Sequence, residues 1–123
     1  MQRVYTKART SYGRVYPAQE TNYQVDIVKG KSIVVQCDRT QKTNSFNVGD
    51  MAEYDSYNLS YYGPIIAITD KRVTIICRHD VKRYNAGEKV KKHCLDLYTF
   101  CFRNYNFELN RVSKENFETS LVI

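Results

Sequence analysis

GPIIAITDKRVTIICR, residues 63–78, decides how the chain is read. Ile and Val dominate both sides of Asp70-Lys71-Arg72, and β-branched residues suit the pleated, half-buried surface of a sheet. The stretch predicts two strands joined by a tight turn. Upstream, FNVGDMAEY (46–54) predicts a short strand with a bend at Gly49-Asp50, followed by a loop of Tyr, Ser and Asn. Downstream, RHDVKRYNAGEKVKKH (78–93) reads as a basic hairpin tip turning at Asn85-Ala86-Gly87. CLDLYTFCF (94–102) then returns as a further strand.

Towards the N-terminus, YQVDIV (23–28) and SIVVQCD (32–38) flank a Lys-Gly-Lys turn and predict a β-hairpin. RTQKTNS (39–45) is a polar connection. The first residues alternate tyrosine and cation (Tyr5, Lys7, Arg9, Tyr12, Arg14, Tyr16), with Gly13 and Pro17 interrupting any long element. Residues 1–22 are therefore expected to form a basic arm or edge strand, and 23–123 a single barrel-like domain. In the tail, Leu109, Val112 and Asn116–Phe117 have helical spacing, with Asn110 or Ser113 as cap, predicting a short helix near 108–119.

The order bend, long loop, strand, tight turn, strand, hairpin, strand suggests a small five-stranded barrel. VGDMAEY…YYGPIIAITDKRVTIIC resembles an SH3-like barrel of the KOW or Tudor kind over about residues 46–100. In that pattern a strand carrying Val-Gly-Asp leads through a long loop to Gly-x-Ile and then Val-Thr-Ile. The resemblance implies a mostly-β fold: an SH3-like five-stranded barrel with an N-terminal β-hairpin segment and a short C-terminal helix. It speaks to fold far better than to function. YDSYNLSYYGPI…LDLYTFCFRNYNF also resembles small bacteriophage proteins.

The chain has 123 residues, enough for one modest core. No run approaches the roughly 18 apolar residues of a membrane span. The opening MQRVYTKARTSYGRVYP lacks the apolar middle of a signal peptide, so the expected location is cytoplasmic, in the host cell if the chain is phage-encoded. Four cysteines are then expected as free thiols.

The net charge of +6 is uneven: residues 1–47 hold eight Lys or Arg against three Asp or Glu, and 48–123 eleven against ten. A basic face favours a polyanion or an acidic protein surface. Residues 78–92 concentrate Arg78, Lys82, Arg83, Lys89, Lys91 and Lys92 around Tyr84, opposed by Asp80 and Glu88. Such a cluster can track a phosphate backbone. It can equally be a solvated tip whose lysines discourage edge aggregation.

Tyr54, Tyr57, Tyr61 and Tyr62 crowd the loop that flanks the ligand groove in SH3-like barrels. Tyrosine offers a rigid ring and a hydroxyl, suited to packing at a rim, to a protein partner or to base stacking. With eleven tyrosines and no tryptophan, a core of this size must leave some exposed.

Cys77, His79, His93, Cys94 and Cys101 suggest a zinc site, but adjacent His93 and Cys94 point to opposite faces of a strand. Buried thiols acting as small apolar residues account for the cysteines better. For catalysis, His79-Asp80 beside lysines is the one suggestive pairing. Asp50, Glu53, Asp55 and Asp96 have no diagnostic spacing, and Asp50 suits the bend after Gly49.

The sequence therefore predicts a non-enzymatic binding protein without metal or cofactor, engaging nucleic acid or a nucleoprotein complex. The contacts expected are the 78–92 cations, Arg3, Lys7, Arg9 and Arg14 of the N-terminal segment, and the 54–62 tyrosines. By analogy with small phage proteins, the resemblance implies inhibition of a host defence system such as a CRISPR effector. The alternatives are a direct single-stranded nucleic-acid binder, a partner of an acidic host protein, and a small metal-dependent nuclease.

Overall fold

A computed structural model describes residues 1–56, 59–77 and 91–106, with backbone alone at 55, 56, 59–62, 77 and 91. The described chain is mostly β, with one short helix towards its C-terminal end. In order it forms β1 (Gln2–Tyr5), β2 (Arg9–Ser11), β3 (Arg14–Tyr16), β4 (Glu20–Val28), β5 (Ser32–Cys37) and β6 (Thr43–Asn47). Then come β7 (Met51–Ser56), β8 (Leu59–Ile68), β9 (Arg72–Cys77), β10 (Lys91–Asp96) and α1 (Leu97–Asn104). Two four-stranded sheets result, ordered β1-β4-β5-β6 and β10-β9-β8-β7, together with a separate β2-β3 hairpin. All pairings are antiparallel.

The predicted hairpin at 23–38 forms as β4–β5, with Tyr23 opposite Cys37 and Val28 opposite Ser32. Its period-2 pattern sends Tyr23, Val25, Ile33, Val35 and Cys37 inward. The strands predicted either side of Asp70-Lys71-Arg72 form β9 and the later part of β8, and the turn is closed by Thr69 N–H donating to the Arg72 carbonyl at 2.8 Å. β8 begins already at Leu59 and pairs with β7, which corrects the long tyrosine loop expected over 54–62.

The sheets join at a corner between β6 and β7. Gly49 has φ +99°, a conformation that side chains disfavour, and this turns the chain out of the first sheet into the second. Asp50 holds the bend, its carboxylate accepting from Asn47 N–H at 2.7 Å. The corner is tied to β8 by Gly49 N–H to the Ile65 carbonyl and Ile65 N–H to the Asp50 carbonyl, each 2.8 Å. Gly30 N–H, in the β4–β5 turn, reaches the Ile68 carbonyl at 2.8 Å, so the sheets also meet at their turns.

One continuous core lies between the sheets and beneath α1. Val4, Val25, Ile33, Val35 and Phe46 enter it from the first sheet, Ile65, Val73, Ile75 and Leu95 from the second, and Phe100 and Cys101 from the helix. Phe46 and Phe100 meet edge to face, 5.2 Å between centroids.

The second sheet curls into a half-barrel. Tyr54 on β7 and His93 on β10 belong to its opposite edge strands, yet their rings stack at 4.1 Å. α1 packs across this approach. The Asn104 side chain accepts from Glu53 N–H at 2.8 Å and donates to the Glu53 carbonyl at 3.1 Å, pairing with the free edge of β7 as a further strand would. Asn44 on β6 donates to the carbonyls of Asn104 and Tyr105, so both buried asparagines are satisfied.

α1 corrects the strand expected over 94–102. The strand ends at Asp96, whose carboxylate accepts from Thr99 N–H at 2.7 Å and caps the helix. Leu97, Phe100, Cys101 and Asn104 then follow the i, i+3, i+4, i+7 spacing of an inward helical face. The helix expected near 108–119 lies outside the described residues.

Candidate nucleic-acid-binding surface

Between β1 and β4 the chain leaves the sheet and returns. The foot of this excursion is clamped by Thr6 N–H to the Gln19 carbonyl at 2.8 Å and Gln19 N–H to the Thr6 hydroxyl at 3.0 Å. Beyond the clamp, β2 and β3 pair Arg9 with Tyr16, Thr10 with Val15 and Ser11 with Arg14. The two-residue turn, Tyr12-Gly13, has positive φ at both positions, +51° and +75°, the arrangement of a type I′ hairpin. No side chain of β2 or β3 is buried. Tyr12 at the tip is 103% exposed and Val15 77%.

This hairpin carries cations without opposing acids. Residues 1–19 contain no Asp or Glu. Lys7, Arg9 and Arg14 are exposed, and among the described residues none of them has a carboxylate partner. By strand alternation Arg9, Ser11, Arg14 and Tyr16 share one face of the hairpin. There the Arg9 guanidinium lies over the Tyr16 ring, 5.1 Å from its centroid.

Arg3 is placed differently. It is half-buried, and its guanidinium pairs with the Asp38 carboxylate, with Glu20 at 3.2 Å and with the Thr21 carbonyl at 3.3 Å. Hydrogen bonds from Gln24 and from Arg3 hold the Asp38 carboxyl below its ordinary range. Arg3 fastens β1 to the chain following β5, so its charge is already engaged within the fold.

Among the other expected contacts, Tyr54 is half-buried, packs on the core and stacks on His93. Tyr61 and Tyr62 lie on β8 opposite Tyr54 and Glu53 in backbone register. Lys91 lies on β10 opposite Cys77, and Lys92 is exposed on the same strand. Tyr57, Arg78, Lys82, Arg83, Tyr84 and Lys89 lie outside the described residues, as do His79 and Asp80.

Among the described residues no three His, Cys, Asp or Glu side chains gather as a metal site would require. Cys94 is exposed beside Thr74, whereas Cys37 and Cys101 are buried; burial first, then the Asp96 charge, pushes the Cys101 thiol up to about 12. Asp50 serves the corner and Asp96 the helix cap, so both have structural work.

Two concavities flank the excursion. The larger, about 510 Å³, mixes Arg3, Lys7 and Lys71 with Asp70 and Asp96. The smaller, about 260 Å³, lies at the hairpin foot and is lined by Lys7, Arg9, Tyr16, Pro17, Gln19 and Tyr98, with Thr6 behind. It holds two cations, two tyrosines and no carboxylate. Tyr12, Tyr16 and Tyr98 are absent from the contacts expected from sequence. Ser-Tyr-Gly-Arg-Val-Tyr (11–16), preceded by further cations, is the available signal for the first two. Tyr98 was hidden by the strand reading of its helix.

Compared with family models, curated proteins and solved structures, the chain matches none. The likenesses to SH3-like barrels and to small bacteriophage proteins accordingly rest on the sequence motifs alone.

Proposed function

We propose that the protein is a non-enzymatic binding protein that engages nucleic acid, free or within a nucleoprotein complex, through its N-terminal hairpin. The observation that carries this reading is the acid-free projection bearing Lys7, Arg9 and Arg14, exposed and without carboxylate partners. Cations that spend no charge inside the fold are available to phosphates, and each phosphate neutralised releases counterions. Exposed tyrosine beside arginine adds ring and guanidinium faces on which bases stack.

The test is binding of labelled single- and double-stranded DNA and RNA across a salt series. Affinity should fall linearly in log–log form, by a slope of about −0.7 for each single-strand phosphate neutralised. Replacing Lys7, Arg9 and Arg14 together by Gln should reduce the steepness of that slope by about 2 on the same basis. A flat salt response to every nucleic acid, with a discrete complex formed with one host protein, would overturn the reading. That result would favour a protein-directed inhibitor.

A further inference from the structure

The two concavities at the excursion differ in charge, and the difference selects a ligand. In the larger one, Asp70 and Asp96 oppose the cations, so a polyanion meets repulsion as well as attraction. The smaller offers Lys7 and Arg9 with no acid, and sets Tyr16 on one element and Tyr98 on another around the same space. Tyr98 is fixed by its setting on α1: it packs against the core, with the Tyr23 ring at 6.2 Å and Phe102 at 6.0 Å. At about 260 Å³ the groove falls just below the roughly 300 Å³ at which drug-sized sites begin. Its scale is one nucleotide, not a length of strand.

We propose that this groove takes a single unstacked nucleotide of a single strand, with Lys7 and Arg9 on the two phosphates that flank it and Tyr16 and Tyr98 against its base. The proposal rests on the nucleic-acid reading above and narrows it. A base within a duplex presents only its edge to a protein, whereas an unpaired base offers the face that an aromatic ring or guanidinium plane stacks on. In the Arg9–Tyr16 pair a guanidinium already lies over a ring face. An acidic peptide without aromatic or planar side chains would satisfy the cations and leave both rings unused.

The test compares three labelled ligands against the full-length protein: a single-stranded oligonucleotide, the same strand with abasic sites throughout, and the duplex. The intact single strand should bind about 5- to 150-fold more tightly than the abasic one, the equivalent of the roughly 1–3 kcal/mol that stacking one base contributes. The duplex should also bind more weakly than the intact single strand. Tyr16→Leu should cut the preference for bases by about 5-fold or more while leaving the salt slope unchanged. Lys7→Gln with Arg9→Gln should do the reverse, flattening the slope while keeping a residual base preference. Tyr98→Leu should act like Tyr16→Leu, and if that variant fails to fold, Tyr16→Leu decides alone, because the hairpin buries no side chain.

Equal affinity for intact and abasic strands, with a steep salt slope, would overturn the base groove and leave the nucleic-acid reading standing. Absence of salt-dependent binding to all three ligands would overturn both. Equal binding of duplex and intact single strand would overturn the requirement for an unpaired base.

Discussion

Two hairpins in this molecule share a geometry and differ in nearly everything else. β4–β5 and β2–β3 are both antiparallel and both turn through a glycine of positive φ, Gly30 at +71° and Gly13 at +75°. The first buries Tyr23, Val25, Ile33, Val35 and Cys37 and contributes to the core. The second buries nothing and places Tyr12 and Val15 in solvent. An isolated two-stranded hairpin is marginally stable in water, and side-chain burial is what usually holds one in place. Because the β2–β3 side chains do not serve the core, their composition of Arg, Tyr and Val is free to serve a contact. Stability and binding should therefore separate cleanly between the two hairpins.

The largest effect tests that separation directly. Ile33→Ala, at a site with no exposure, should cost about 2–5 kcal/mol, whereas Val15→Ala should stay within about 0.5 kcal/mol. Urea denaturation read as midpoint and slope measures both. A cost of more than about 1 kcal/mol at Val15 would break the comparison, since it would mean that the outer hairpin packs on the fold after all.

Next comes the seam that α1 makes with β7. Asn104→Ala removes both side-chain bonds to the Glu53 backbone and one to the Phe100 carbonyl at a position with no exposure. A loss of about 2–4 kcal/mol is expected. Asn104→Asp should be worse than Ala, because a carboxylate cannot donate to the Glu53 carbonyl and would bring a charge into the core. Nucleic-acid affinity, measured where the variant remains folded, should be unchanged.

A smaller effect follows from pH. The Cys101 thiol is raised from an ordinary value of 9.0 to about 12 by burial and the nearby Asp96 charge. Between those values the unfolded chain releases a proton that the folded one retains. The unfolded state then binds fewer protons, and stability falls as pH rises. Tyr23, raised from 10.0 to about 12 chiefly by burial, adds in the same direction above pH 10.0. At about pH 10.5 the thiol alone should remove about 2 kcal/mol, an effect a Cys101→Ala variant should lack. Alkylation followed by peptide mapping checks the same burial at neutral pH: exposed Cys94 should label quickly, and Cys101 only as fast as the protein opens.

How much of this was legible in the sequence depends on how far apart the deciding residues lie. β4–β5 and β8–β9 could be read because each carries its own turn and its own run of β-branched residues. α1 could not, since Tyr98, Phe100 and Phe102 are residues that suit strands. Its helical face becomes apparent only when Asn104 is counted as inward, and a buried asparagine is specified by Glu53, 51 positions away. Arg3 and Arg9 look alike in the sequence. Register and the loop after β5 give Arg3 the Asp38 carboxylate, 35 residues on, while Arg9, among the described residues, meets a ring on its own hairpin and no carboxylate. The excess of cations near the N-terminus was thus legible by composition, and its division into engaged and available charges was not. The Tyr54–His93 stack was hidden similarly, because it depends on the curling of a whole sheet.

The smallest change in stability carries the sharpest statement about the outer hairpin. Type I′ turns favour Asn-Gly, because both central residues must adopt positive φ and asparagine tolerates that conformation better than most side chains. Here the first position is Tyr12, at +51° and wholly exposed, so neither turn preference nor burial accounts for it. Tyr12→Asn should leave stability within about 0.5 kcal/mol of the parent, or raise it slightly, because the turn gains a favoured residue. The same substitution should weaken binding to single-stranded nucleic acid by about 5-fold or more at every salt concentration, with the slope intact, since a ring is lost and no charge. Parallel denaturation and salt-series titrations of this one variant measure both halves. If affinity is untouched, the hairpin tip lies outside the contact, and the binding surface contracts to its foot, where Lys7, Arg9 and Tyr16 lie.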